Sequence, residues 1–203
     1  LRSLAEIKKT LNENGSDLIV EMGDPEFLIP KLITEYKCNS LYINRDYEKY
    51  AQDRDQTISK ILLNKKVTTF AFKDQVLFES DEVLTQSNNP YTVFTPYKNN
   101  YLKRLNEQGI ELYNCENHKD NFAKFTSKAL PTLGELGFEK TNLKDLGLPT
   151  GTSGGKSLLE KFYKNIKNYS TNRNFPSIRG VSYLSVHNRF GTLSIRHLAK
   201  LAI

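Results

Sequence analysis

The chain has 203 residues, 38% of them hydrophobic and 26% charged, so it is long enough for one or two domains and too apolar for a disordered protein. It has two cysteines and no apolar run near the roughly 20 residues that span a bilayer, which excludes disulfide-rich miniproteins and membrane-spanning proteins and predicts a cytoplasmic location. The formal net charge of +6 favours an anionic partner.

Helix and strand patterns alternate over the first 72 residues. Apolar residues at helical spacing predict a first helix that Asn14-Gly15 ends, and Asp24 with Pro25 predicts a capped start for the second. The predicted order is helix Leu1–Leu11, strand Asp17–Met22, helix Pro25–Tyr36, strand Ser40–Ile43, helix Tyr47–Asn64 and strand Val67–Phe72. This alternation predicts an α/β fold with a parallel sheet covered by helices. Because no strand precedes the first helix, we expect a segment whose opening strand is missing.

The pattern is less regular after Phe72. We predict a strand at Val76–Phe78, a helix at Lys98–Gln108 and a strand at Ile110–Tyr113. Residues 114–155 are rich in Asn, Lys, Gly and Pro, which predicts a linker. A helix is predicted at Ser157–Tyr169, with apolar residues on one face and lysines on the other, so a second, incomplete domain begins near residue 154.

Positive charge is concentrated in the last quarter of the chain. Residues 1–150 hold 20 lysines and arginines against 22 acidic residues, whereas residues 151–203 hold nine against Glu160 alone. Nucleic-acid phosphate is the commonest partner of such a surface. A solvated basic helix face explains the same charge pattern, and the charge alone leaves both interpretations open.

Three motifs that resemble chemical sites have simpler explanations. Residues 151–157 (GTSGGKS) have one residue too few before the Gly-Lys pair for a phosphate-binding loop, so a hinge is predicted there. The histidines and cysteines lack metal-ligand spacing, and no metal site is predicted. The carboxylates near residue 50 alternate with basic residues, which predicts an ion-paired helix start: Asp46, Glu48, Asp53 and Asp55 with Arg45, Lys49 and Arg54.

Small hydroxyl residues precede a helix near the end of the chain. Ser182 and Ser185, with nearby backbone N–H groups, suit a phosphate or pyrophosphate, since a helix N-terminus attracts anions. Both serines are also ordinary N-cap residues. The residues alone favour the N-cap interpretation over a phosphate site.

Several motifs resemble, in the same order, those of the DNA photolyase and cryptochrome flavoproteins. They are residues 44–55 (NRDYEKYAQDRD), 90–97 (PYTVFTPY), Tyr169-x-x-x-Arg-Asn-x-Pro176, 180–185 (GVSYLS) and 189–194 (RFGTLS). The resemblance implies a Rossmann-like antenna domain over residues 1–115, an interdomain linker over 116–153 and, over 154–203, the first helices of an all-helical domain that binds FAD.

The resemblance also implies roles for individual residues. Tyr169 matches a tyrosine that contacts FAD. Arg173 matches an arginine that lies on the DNA-binding side of the protein in DNA-repairing members of the family. The segment that lies on the flavin phosphates matches Val181, Ser182, Tyr183, Leu184 and Ser185, with Val181 where the family has threonine.

An antenna chromophore is implied as well. Asp46 and Glu48 match a region that contacts deazaflavin in some members. Members that use folate carry an Asn-Glu pair where this chain has Tyr50-Ala51, which disfavours folate. The identity of the antenna chromophore, deazaflavin or folate, stays open.

The activity implied by the resemblance is light-driven repair of cyclobutane pyrimidine dimers in damaged DNA, by electron transfer from reduced FAD in a monomeric parent enzyme. No residue of this chain is expected to be catalytic. The segment alone is expected to be inactive, because most of the family's FAD pocket and its electron-transfer tryptophans would lie outside residues 1–203. The alternatives are a cryptochrome-type blue-light photoreceptor and a non-catalytic α/β binding module.

Overall fold

The computed structural model of this protein describes residues 1–139 and 143–203. Its helices and strands, in chain order, are α1 (Arg2–Asn12), α2 (Pro25–Glu35), β1 (Ser40–Asn44), α3 (Lys49–Asn64), β2 (Thr68–Phe72), α4 (Phe94–Gln108), α5 (Gly151–Tyr163), α6 (Tyr169–Asn172), α7 (Ser185–Arg189) and α8 (Ile195–Ala202). Short 3-10 helices lie at Cys115–Asn121, Leu143–Leu146 and Ile166–Asn168. Among these described helices, none is both long and apolar enough to cross a membrane.

Contacts group the chain into two compact units. One is formed by Leu1–Val20 with Tyr113–Leu198, and the other by Glu21–Leu112 with Ala199–Ile203. The domain boundaries predicted near residues 115 and 154 stay a prediction, and residues 140–142 of the predicted linker lie outside the described residues.

The unit built on Glu21–Leu112 contains the sheet. Strands β1 and β2 pair in parallel, with Ser40 opposite Thr68 and Asn44 opposite Phe72. Helix α3 connects them, because two parallel strands need a crossover rather than a tight turn. The predicted α/β class with a parallel sheet is confirmed.

The core of this unit lies between its helices and the sheet. Ile58 and Leu62 are four residues apart and therefore share one face of α3. Leu62 is completely buried, and a side chain of this size contributes roughly 1.5–3 kcal/mol when it leaves water. The core cluster consists of Ile33, Ile58, Leu62 and Val67, with Ile29 and Leu41 packed against it.

Local sequence signals set two helix starts. The Asp24 carboxylate accepts a hydrogen bond from the Glu26 N–H at 2.9 Å, and Pro25 is the first residue of α2, as predicted. Helix α4 begins at Phe94 rather than at the predicted Lys98. Pro96 fits there because it lies in the first turn, where a backbone N–H has no acceptor within the helix.

Three of the predicted strands are wrong. The segments Asp17–Met22, Val76–Phe78 and Ile110–Tyr113 are described, and none of them is a strand. A strand exists only through hydrogen bonds to a neighbouring strand. Near Asp17 the backbone bonds to side chains instead, since the Leu18 N–H donates to the Asp17 carboxylate and the Leu18 carbonyl accepts from Ser127.

The predicted hinge at residues 151–157 is wrong, because these residues form the first turns of α5. The Glu6 carboxylate of α1 accepts hydrogen bonds from the Ser153 N–H at 3.0 Å and the Ser153 hydroxyl at 2.6 Å. The helix therefore starts six residues before the predicted Ser157 and ends at Tyr163, before the predicted Tyr169.

Candidate functional site

The residues implied in FAD and DNA binding lie in the unit that contains Tyr113–Leu198. Tyr169 begins α6, and its ring makes a T-shaped contact with the Phe162 ring, with ring centres 5.7 Å apart. The guanidinium of Arg173 lies 5.3 Å from the centre of the Tyr169 ring, in a cation-π contact. Arg173 is otherwise exposed, so its N–H groups can meet an anion from solvent.

A close backbone approach holds the segment 181–185 beside α6. Gly180 is buried, and a Cβ atom there would lie 2.4 Å from the Cβ of Asn172, which only glycine avoids. Asn172 is the last residue of α6. The structure therefore brings Tyr169, Arg173 and residues 181–185 into one region.

Within this segment one side chain faces inward. Leu184 is buried, whereas Val181 and Tyr183 are 40% and 44% exposed. Tyr183 has φ 54°, in the left-handed region, which turns the backbone just before α7. Leu184 thus anchors a segment in which Val181, Tyr183 and Ser185 are exposed and Ser182 is half-buried.

The N-cap role predicted for Ser182 and Ser185 is wrong. The N-cap of α7 is Leu184, which makes no side-chain capping bond, and Ser185 is already the first helical residue. Ser182 accepts a hydrogen bond from the Leu184 N–H at 3.4 Å instead. No side chain caps α7, so polar groups of residues 182–185 are available to a ligand.

A buried histidine fixes the position of α7. His187 bonds to the Thr192 hydroxyl through Nδ1 at 2.7 Å and to the Pro149 carbonyl through Nε2 at 3.1 Å. Because the carbonyl can only accept, Nε2 carries a proton and donates to it. The histidine is fully bonded and is a structural residue.

Two other motifs are structural as well. In the GTSGGKS motif at residues 151–157, the Glu6 carboxylate binds the first turn of α5, the position that a phosphate would take in a phosphate-binding loop. Hydrogen bonds from the Ser153 hydroxyl and N–H lower the pKa of Glu6. Near residue 50, Lys49 pairs with Asp53 at 2.6 Å and Arg54 with Asp55 at 2.7 Å, as predicted, whereas Arg45 pairs with Glu79 instead. Among the described residues, no three histidine, cysteine or carboxylate side chains form a potential metal site.

The second candidate site is a cleft of about 530 Å³ at the carboxyl ends of β1 and β2. Ligands of parallel α/β sheets bind at this edge, where loops rather than helices follow the strands. The cleft is lined by Ile43, Arg45, Asp46, Tyr47, Gln52, Asp55, Gln56, Ser59, Thr69, Ala71, Glu79 and Ser80. The predicted Asp46 is therefore in the lining, whereas Glu48 is exposed beside it as the N-cap of α3.

The polar groups of the cleft form a connected set. Arg45 donates to Glu79 at 2.9 Å. Burial, together with a hydrogen bond to Glu79 and its negative charge, raises the pKa of Tyr47 to about 12. Tyr47 therefore stays a neutral hydrogen-bonding phenol at all ordinary pH values.

Two groups in the cleft retain capacity for a ligand. The Asp46 carboxylate accepts from the Tyr47 N–H at 2.7 Å, and it has no ion pair to any described cation. The Thr69 hydroxyl is buried and has no hydrogen-bond partner in the described part of the chain. Orphaned groups of this kind are satisfied by a bound polar ligand or water.

Sequence reasoning missed Arg45, Tyr47, Thr69 and Glu79 as members of this cleft. Arg45 and Tyr47 closely follow the carboxyl end of a predicted strand, and this position alone could have indicated that they belong to a ligand site. Glu79 is 34 residues from Arg45, and only the fold brings the two together.

Comparison with known proteins gives a consistent picture. The profile of the DNA photolyase family matches residues 1–117. A curated relative, the deoxyribodipyrimidine photo-lyase of Synechococcus sp., is 31% identical over 98% of this chain and 42% of its own length. The chain therefore spans well under half of that relative.

Two solved structures are similar over most of the chain. A class III photolyase from Agrobacterium tumefaciens matches with a TM-score of 0.79 and 25% identity, over 98% of this chain and 42% of the other. A cryptochrome from Synechocystis sp. PCC6803 matches with a TM-score of 0.78 and 18% identity over the same shares, a likeness of fold alone.

Proposed function

Because the chain belongs to the DNA photolyase family, we propose that it is part of a deoxyribodipyrimidine photo-lyase, an enzyme that repairs cyclobutane pyrimidine dimers in light. The observation that carries this proposal is the 31% identity to such an enzyme over 98% of the chain. We further propose that residues 1–115 form the antenna domain, 116–153 the linker and 154–203 the start of the FAD-binding domain.

The residues near α6 and α7 suit a flavin nucleotide. Tyr169 offers a half-buried aromatic ring, and the uncapped start of α7 offers polar groups to the flavin phosphates through Ser182 and Ser185. Val181, in place of threonine, keeps its backbone N–H but lacks a hydroxyl. When bound, reduced FAD supplies the electron for dimer cleavage. The role of this chain is to bind and orient that cofactor, with Tyr183 and Leu184 shaping the segment.

Arg173 is proposed to contact the DNA backbone. Its cation-π contact with Tyr169 restricts the side chain before DNA arrives, which lowers the entropy cost of ordering it on a phosphate. The excess of basic residues over residues 151–203 supports the same partner.

The cleft at the carboxyl ends of β1 and β2 is proposed to bind the antenna chromophore, with Asp46 in its lining and Glu48 at its rim. Tyr50-Ala51, in place of the Asn-Glu pair, disfavours folate and favours a deazaflavin or related fused-ring chromophore. We also propose that the complete enzyme is a monomer located in the cytoplasm.

The test of the activity is repair of a thymine-dimer oligonucleotide by the complete enzyme that contains this chain, in light and in the dark. Repair only in light supports the proposal. Bound flavin without repair would instead indicate a cryptochrome, and neither flavin nor repair would indicate a binding module.

The DNA role has its own test, the salt dependence of binding to the same oligonucleotide. Removing one phosphate contact with Arg173→Ala is expected to lower the slope of log affinity against log salt by about one. Lys31→Ala, an exposed cation outside the basic tail, is the matched control and should leave the slope unchanged. An unchanged slope for Arg173→Ala, with its flavin content intact, would exclude that contact.

A further inference from the structure

Helix α7 is too short to hold its own position, and two buried residues anchor it. It has five residues, whereas isolated helices shorter than about 12 residues are marginal in water. Leu184 and His187 are buried and three residues apart, so they lie on the same side, while the other residues of α7 are exposed. Because α7 directly continues the segment 181–185, the contacts that fix these two anchors also fix that segment.

The histidine is the anchor that specifies an orientation. A buried leucine is stabilised in any orientation that keeps it out of water, since the hydrophobic effect has no direction. His187 instead bonds through both ring nitrogens, to the Thr192 hydroxyl at 2.7 Å and to the Pro149 carbonyl at 3.1 Å. Hydrogen bonds weaken steeply away from alignment, so this pair of bonds favours one rotation of α7 over others.

The ring of His187 lies in a socket formed by Pro149, Gly154 and Gly155. Both glycines are buried in the first residues of α5. A Cβ atom at position 154 would lie 2.6 Å from the carbonyl carbon of Pro149, and one at position 155 would lie 2.8 Å from Nδ1 of His187. Any larger residue would displace the carbonyl or the ring. The paired glycines of the GTSGGKS motif are thus required by the close approach of the histidine and its acceptor.

Glu6 of α1 fixes the part of α5 that carries the socket. Its carboxylate accepts from the N–H of Ser153 at 3.0 Å and from the hydroxyl of the same residue at 2.6 Å. Helices α1, α5 and α7 all belong to one compact unit. Contacts therefore run without a break from Glu6 through the start of α5 and His187 to the segment 181–185.

We propose that His187 is a positioning residue for FAD, which through the socket of Pro149, Gly154 and Gly155 sets the position of residues 181–185 on the flavin phosphates. The histidine itself does not contact the cofactor. This inference rests on the FAD role proposed above for that segment, and it goes beyond that role by naming the residues that hold the segment in place. Polar groups bind a ligand well only when they are held within roughly 0.5 Å of the productive geometry. Loss of the histidine should therefore weaken the binding of flavins that carry phosphate.

FAD and riboflavin test the inference, because riboflavin has the same ring system without the phosphates. The complete enzyme that contains this chain is freed of FAD, and each flavin is titrated back while its fluorescence is followed. His187→Leu removes both hydrogen bonds, and we expect it to bind FAD about tenfold more weakly and riboflavin nearly as well as the wild type does. A loss of stability alone would weaken the binding of both flavins by the same factor.

Three further variants separate positioning from stability. His187→Gln keeps an amide N–H that can donate to the Pro149 carbonyl, so it should recover much of the preference for FAD. His197→Leu changes an exposed histidine on α8, and Leu62→Ala destabilises the core of the other unit. Both controls should leave the ratio of the FAD and riboflavin affinities unchanged.

A double-mutant cycle tests the socket itself. Gly155→Ala places a Cβ against the ring of His187, so it should weaken FAD binding in the wild-type background. In His187→Ala the ring is absent, and adding Gly155→Ala should weaken FAD binding little further. Two effects that simply multiply would show that the glycine does not act through the histidine, and would overturn the socket.

The outcomes also separate this inference from the proposed FAD role. A wild-type enzyme that binds FAD no more tightly than riboflavin would overturn the phosphate role of residues 181–185 and this inference with it. A wild-type preference for FAD that His187→Leu leaves intact, or equal weakening of both flavins in that variant, would overturn the positioning role and leave the FAD site in place.

Discussion

Asp17 is a buried carboxylate with several hydrogen-bond partners. Its side chain is 2% exposed, pairs with Lys8 at 2.5 Å and accepts from the N–H groups of Leu18 and Ser127. Lys8 also donates to the Ser127 hydroxyl at 2.8 Å. The Ser127 hydroxyl donates to the Leu18 carbonyl rather than to Lys8, so the serine and lysine do not form a nucleophile and base.

The Lys8 ammonium, and after it the Ser127 N–H, hold the pKa of the Asp17 carboxyl well below its usual value of 3.8. Its contribution to stability is therefore complete above pH 3.8 and is lost as the pH falls from there toward the lower folded value. We expect the free energy of unfolding to fall more steeply below pH ~4 in the wild type than in Asp17→Asn.

Chemical denaturation at a series of acidic pH values measures this difference. Asp53→Asn is the matched control, since Asp53 pairs with Lys49 on an exposed helix surface, where an ion pair contributes little. Parallel curves for the wild type and Asp17→Asn would contradict the prediction.

At the scale of elements, glycine allows close contacts that position the candidate FAD segment. Gly180 brings residues 181–185 against the end of α6, and Gly155 leaves room for the ring of His187 under α5. A Cβ at position 155 would lie 2.8 Å from Nδ1 of that histidine. The position of residues 181–185 therefore depends on backbone packing as well as on side-chain bonds.

Gly180→Ala is expected to destabilise the chain by about 1–3 kcal/mol, because the added Cβ would meet the backbone of Asn172 and force it to shift. Thermal unfolding measures the effect. In Gly134→Ala the new Cβ has nothing within 4 Å, so that variant should unfold close to the wild type. Equal stability of the two variants would show that the approach at Gly180 relaxes without cost.

At the scale of the whole molecule, the chain spans 42% of the length of two of its relatives, the photo-lyases of Synechococcus sp. and Halobacterium salinarum. Its basic residues are concentrated after residue 150, whereas residues 1–150 carry a small acidic excess. The charge that favours an anionic partner is thus concentrated in the last quarter of the chain.

We expect the purified 203-residue chain to retain far less than one FAD per chain and to show no light-dependent repair. The described FAD-segment residues lie on or just before the short helices α6 and α7, which expose most of their side chains and cannot enclose a cofactor. The absorption spectrum of the purified chain measures the flavin content. Stoichiometric FAD would contradict this expectation.

Local signals in the sequence determined the elements that depend on neighbouring residues. Asp24 with Pro25 set the start of α2, and the spacing of Ile58 and Leu62 defined the buried face of α3. The alternation of helix and strand patterns determined the α/β class. The family motifs identified the regions of Tyr169 and Asp46, because short runs of consecutive residues carry those motifs.

Only the tertiary structure decided which polar groups meet across long separations. Ser127 bonds to Asp17 from 110 residues away, Ser153 to Glu6 from 147, and Glu79 to Arg45 from 34. The failed strands have the same cause, since a strand is defined by a distant partner and no local pattern specifies one. The polar lining of the cleft arises in this way too, because its residues become neighbours only when β1, α3 and β2 pack together.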